Sequence, residues 1–130
     1  MKGEVNAHRE AILRLRLEGS NGKQRTIECI IDTGYDGALT LPARLIRSLK
    51  LPLVGQNQAQ LANGQIVTFN TYWAMANWSG RRVRVSVDEA PTDPLIGMEL
   101  LEGFQLKIEV ETRGNVAVTP LKKARAAGRL

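Results

Sequence analysis

Residues 29–42 read Cys29-Ile30-Ile31-Asp32-Thr33-Gly34-Tyr35-Asp36-Gly37-Ala38-Leu39-Thr40-Leu41-Pro42. An apolar run, Cys29 to Ile31, delivers one carboxylate onto a glycine-punctuated turn, and an apolar segment resumes at once. An acid in that place must be solvated, paired or hydrogen-bonded, because burying it alone is costly. Gly34 and Gly37 give a tight loop the freedom to present a side chain rather than hide it. The stretch reads as a strand, a loop that displays Asp32, and a short strand over residues 38–41.

On the N-terminal side, residues 12–18 alternate, with Leu13, Leu15 and Leu17 on one face and Arg14 and Arg16 on the other. That period of two predicts a half-buried strand. A turn at Ser20-Asn21-Gly22-Lys23 joins it to a second strand over 24–31, so a hairpin feeds the Asp32 loop. On the C-terminal side, Pro42 suits the first turn of a helix through Lys50, with Leu45, Ile46 and Leu49 on one face. A second hairpin is expected from strands 56–62 and 65–76 about a type I′ turn at Asn63-Gly64, since that dipeptide is the strongest short hairpin signal. Residues 81–88 form another strand, with Val83, Val85 and Val87 inward. Leu95-Ile96-Gly97 is a short strand before one or two helical turns closed by Gly103. Alternation then runs from Phe104 to Glu111, and a last strand covers 115–119 after an Arg113-Gly114-Asn115 turn. Short strands and little helix spell a mostly β, barrel-like fold.

The chain has 130 residues, enough for a single domain over 1–130, with its core at about 12–119 and a basic tail at 120–130. Eighteen basic residues against thirteen acidic ones give a net charge of +5. Much of the excess is terminal, at Lys122, Lys123, Arg125 and Arg129, with no aromatics between, so a frayed, solvated tail is expected and no nucleic-acid partner. No apolar run reaches membrane-spanning length, and Met1 to Val5 lacks the long apolar region of a secretory signal. Cys29 is the only cysteine, which excludes an intrachain disulfide and fits a reducing cytoplasm. It reads as a small buried residue. His8, the sole histidine, is expected in a ragged, solvated N-terminal segment, so a Cys/His or Ser/His triad has little support.

Three features, in this order, resemble the retroviral-type aspartic proteases: Asp32-Thr33-Gly34, a flap-like hairpin at 56–76, and Leu95-Ile96-Gly97 followed by a short helix. The helix after Leu41 is more similar to cellular and bacterial members than to viral ones. The resemblance implies a closed retropepsin-like β-barrel in which the second motif packs the first from behind. It implies a catalytic loop of Asp32, Thr33 and Gly34, with Asp36, Asn63, Gly64, Gln65 and Ile96 contacting an extended peptide. No metal or cofactor is implied. The chemistry takes two carboxylates sharing a proton, and one such motif per chain means a homodimer with Asp32 at its axis. A terminal strand, at about 115–119, is the expected pairing between copies.

Two positions depart from the family pattern. Met98 stands where the family has an Arg that pairs with the acid here represented by Asp36, and Tyr35 stands where a small residue is usual. Two functions of different class follow. One is an aspartic endopeptidase; the other is a non-catalytic protein-binding or dimerisation module that kept the fold. The intact Asp32-Thr33-Gly34 favours the enzyme, because a pure binder has no need of an acid pair that repels itself.

Overall fold

The computed structural model describes residues 1–122. Ten strands and two short helices follow one another in a mostly β chain. They are β1 (Lys2–Val5), β2 (Ala11–Glu18), β3 (Gln24–Ile31), β4 (Leu39–Leu41), α1 (Ala43–Ser48), β5 (Leu53–Gln60), β6 (Ile66–Trp78), β7 (Arg81–Glu89), β8 (Leu95–Ile96), α2 (Met98–Leu101), β9 (Phe104–Ile108) and β10 (Asn115–Pro120). The strands join in the order β5-β6-β7-β4-β8-β3-β2-β1-β10-β9, and β6 also pairs with β2, which returns the sheet on itself in a ring of pairings.

The alternation of β2 sets one wall of the core. Leu13, Leu15 and Leu17 are buried while Arg14 and Arg16 are exposed. Each such leucine contributes about 1.5–3 kcal/mol through the apolar surface it removes from water. Ile27 and Cys29 from β3, Leu39 and Leu41 from β4, Val85 and Val87 from β7, and Val116 and Val118 from β10 complete the same cluster. Trp78 closes one end, edge-on to Phe104 with ring centroids 5.6 Å apart.

Several expectations need correction. The N-terminal segment is not ragged: β1 lies between β2 and β10, Val5 is buried, and the Met1 ammonium donates to the Val118 carbonyl at 2.8 Å. His8 is exposed, as expected, in the turn that follows. The core therefore begins before residue 12. Strand β10 has β1 on one side and β9 on the other, both from its own chain, so it offers no free edge to a second copy. It also runs through Pro120, and residues 123–130 of the expected frayed tail lie outside the described residues.

The first helix stops at Ser48 rather than Lys50, because Lys50 takes a left-handed φ of 50°. The apolar alternation after Phe104 outlasts its strand: β9 ends at Ile108, the chain turns over Glu109–Gly114, and Val110 is exposed. The Asn63-Gly64 turn is not type I′. Gly64 N–H donates to the Leu61 carbonyl at 2.9 Å, and of the loop residues only Gly64 has a positive φ, 85°. That is a three-residue loop with a left-handed glycine at its end. A type I′ turn falls instead at Ser79-Gly80 (φ 53° and 75°), which links β6 to β7.

Candidate active site

Asp32 is the first residue beyond β3, and its position is fixed by the strand beside it. Strands β3 and β8 run parallel with Ile31 opposite Ile96, and Asp32 N–H donates to the Ile96 carbonyl at 2.9 Å. Ile96 also faces Leu39 of β4 across an antiparallel pairing, so it sits where the strands entering and leaving the loop meet. Its side chain is 0% exposed. Expected among the peptide contacts, Ile96 instead supports the loop from within the core.

The segment after β8 clasps the loop. Gly97 N–H donates to the Ala38 carbonyl (3.0 Å), Met98 N–H to the Tyr35 carbonyl (2.8 Å) and Glu99 N–H to the Gly37 carbonyl (3.1 Å). Each such bond is worth about 1 kcal/mol net. More important, they satisfy backbone groups that a sharp turn would otherwise leave unpaired. Gly97 is required by the closeness of this packing: a Cβ there would collide with the Gly37 carbonyl oxygen and lie 2.7 Å from that of Tyr35.

The loop presents its motif outward. Gly34 N–H donates to Asp32 Oδ1 at 2.9 Å, which orients the carboxylate while Asp32 remains partly open to solvent. Thr33 and Gly34 are exposed, and the Thr33 hydroxyl makes no hydrogen bond among the described residues. Asp36 is exposed as well. Met98, 48% exposed, offers it no charge, and the ion pair found among the described residues, Arg82 with Glu18, lies elsewhere.

Asn63, Gly64 and Gln65 all lie exposed at the tip of the β5–β6 hairpin, where Asn63 Oδ1 accepts from Gln65 N–H at 2.9 Å. Leu61 and Ile66 flank the tip and are also exposed. A groove of about 630 Å³ runs between the hairpin, the start of α1 and the chain after β7, lined by Pro42, Arg44, Gln56, Phe69, Glu89 and Pro91 among others, but not by Asp32.

Tyr35 turns inward, not toward the cleft. Its hydroxyl lies 2.7 Å from Asp88 Oδ2 and 3.2 Å from the Leu39 carbonyl oxygen. Burial first, and then the hydrogen bond to Asp88, push its pKa well above the ordinary tyrosine value. Asp88 Oδ1 accepts from the Thr71 hydroxyl at 3.2 Å, and Thr71 Oγ1 accepts from Asn57 Nδ2 at 2.7 Å. Sequence reasoning missed these partners. The one local signal was an acid closing the Val83-Val85-Val87 alternation, and nothing in it named Tyr35.

The fold so described is retropepsin-like. A retropepsin-like aspartic protease from Rickettsia conorii superposes with a TM-score of 0.59 at 15% identity, covering 92% of this chain and 89% of that one. EIAV protease in complex with an inhibitor superposes with a TM-score of 0.55 at 18% identity, over 75% of this chain and 89% of that one. The foamy viral protease-reverse transcriptase matches at a TM-score of 0.51 and 17% identity, over 85% of this chain and 13% of that chain. No family model matches the sequence, and no curated protein matches it. At these identities the likeness is one of fold.

Proposed function

We propose that the protein is an aspartic endopeptidase whose active site forms at the axis of a homodimer, with Asp32 contributed by each copy. The observation that carries this reading is the Asp32 loop. Its carboxylate is oriented by Gly34 N–H, its backbone is clasped by residues 97–99, and its Thr33-Gly34 face is exposed, all on a retropepsin-like fold. A catalytic acid with one oxygen held and the other free is suited to sharing a proton with a second carboxylate. Like charges at contact distance do not both ionise, so one member stays protonated and polarises the scissile carbonyl while the other takes a proton from water. In the dimer, Thr33 hydroxyls would bond across the axis, Asp36 would meet the substrate, and the flap tip at Asn63-Gly64-Gln65 would cover an extended peptide. The ring of strand pairings supports the closed barrel expected for this class. A reducing cytoplasm is the compartment we assign, from the single buried thiol.

One observation favours a non-catalytic binding module instead: Asp36 has no cationic partner among the described residues, and Met98 stands where the family brace would be. A single experiment separates the two. Purified wild-type protein and Asp32→Asn are incubated with an unfolded protein substrate from acid to neutral pH. Cleavage by wild type alone, greatest below neutrality and falling at both extremes, is expected. No cleavage at protein concentrations where the dimer is demonstrated would establish the binding module.

A further inference from the structure

The Tyr35 hydroxyl ends a chain of side chains that begins on the flap. Register explains how they meet. Gly55 of β5 faces Thr71 of β6, Thr71 faces Asp88 of β7, and Asp88 faces Thr40 of β4, so one rung crosses four strands. Asn57, two residues along β5 and hence on the same face, reaches the Thr71 hydroxyl diagonally at 2.7 Å. The hydrogen bonds have a consistent direction. Asn57 donates to Thr71, Thr71 donates to Asp88, and Tyr35 donates to the other oxygen of Asp88. Thr71 is buried, and no Lys or Arg pairs with Asp88 among the described residues, so these hydroxyls are the partners its carboxylate has. At the far end Tyr35 is bound directly to the acid's own backbone, its N–H donating to the Asp32 carbonyl at 3.2 Å. Its ring fills the gap beside Gly37 and Gly97, where a Cβ on either would strike it.

The geometry points to Tyr35 as a positioning residue that ties the Asp32 loop to the base of the flap through Asp88, Thr71 and Asn57. It acts through the loop and touches no reacting atom. The tie takes over from the absent Asp36–Arg brace the task of holding the loop, and it makes the placement of Asp32 depend on where the flap base lies. This inference rests on the protease reading of the Asp32 loop.

The test pairs Tyr35→Phe, which keeps the ring and removes the hydroxyl, with Asn57→Ala at the other end of the chain, and adds the double variant. Each single change should lower kcat about tenfold with KM within about twofold, since a loop displaced by a fraction of an ångström misplaces the acid. The double variant should lose little more than either single one, because both cut the same tie. A second readout needs no catalysis. Hydrogen exchange of the Gly34 amide, followed by NMR in the peptide-free protein, should accelerate several-fold in Asn57→Ala although residue 57 lies on another strand. Faster Gly34 exchange in a protein that cleaves nothing would support the tie while removing the protease reading. Wild-type kcat in Tyr35→Phe, additive losses in the double variant, or unchanged Gly34 exchange in Asn57→Ala would each overturn the inference. So would a fall in Tm with kcat intact, which is all that a purely structural tyrosine gives.

Discussion

Gly97 and Gly34 belong to the same loop assembly, yet substitution should treat them differently. A Cβ on Gly97 meets the Gly37 carbonyl oxygen, the Tyr35 carbonyl oxygen at 2.7 Å and the Tyr35 ring at 2.5 Å, and two of those three are backbone atoms that cannot swing away. Gly97→Ala should therefore cost about 2–3 kcal/mol of stability in urea unfolding. A Cβ on Gly34 meets only Asp32 Oδ1, at 3.3 Å, and φ there is not positive. Gly34→Ala should stay within about 1 kcal/mol of wild type; equal destabilisation by both would mean that the clasp is looser than described. Cys29 makes a different prediction. It is buried and unpaired, and burial pushes its thiol up from 9.0 to about 12. Folding thus favours the neutral thiol. That stabilisation is complete below the ordinary value and is lost as pH rises from about 9 toward 12. Thermal unfolding of Cys29→Ala should decline less steeply over that window than wild type, each relative to its own value at neutral pH. Parallel curves would show that the thiol does not titrate with unfolding.

The proposed flap, the β5–β6 hairpin, depends on one backbone conformation. Gly64 has φ 85°, a region that a β-branched residue enters only at a cost of about 1–3 kcal/mol. Since the tip is exposed and makes no core contact, Gly64→Val should leave the Tm within a few degrees of wild type while peptide hydrolysis falls at least tenfold; hydrolysis at the wild-type rate would show that this hairpin does not close over substrate. That a hairpin lies here was legible from Asn63-Gly64, but its turn type was not. The dipeptide fits a two-residue turn and a three-residue loop alike, and strand register decides between them. Strands β2, β3 and β7 were legible because their apolar alternation is written in consecutive residues. Strand β1 was not, because of its four residues only Val5 is a large apolar one, and it is a strand only because β2 and β10 flank it. The Asp32 loop and its clasp were visible as two motifs, Asp32-Thr33-Gly34 and Leu95-Ile96-Gly97. The Asn57–Thr71–Asp88–Tyr35 chain was invisible for a physical reason: its members lie 14, 17 and 53 residues apart in sequence and meet only through cross-strand register.

The whole molecule carries one Asp-Thr-Gly loop, and the terminal strand that could have joined two copies is already paired on both edges within its own chain. In the proposed dimer, association would then fall chiefly to the exposed Thr33-Gly34 face, and the proposed mechanism makes activity a property of the pair. If each site takes one Asp32 from each copy, an Asp32→Asn subunit disables any wild-type partner that it joins. Asparagine is nearly isosteric with aspartate, can accept the same bond from Gly34 N–H, and removes the like-charge repulsion, so mixed dimers should form at least as readily as wild-type ones. With equal amounts of the two chains and random exchange, about a quarter of the dimers carry two wild-type subunits. At fixed wild-type concentration, peptide hydrolysis should then fall to about half its starting value, and further as the variant is added in excess. The measurement is hydrolysis after prolonged co-incubation, with exchange verified by mass-tagged chains. Activity undiminished despite proven exchange would mean that each chain works alone, and a shared carboxylate pair at a two-fold axis could not be the mechanism.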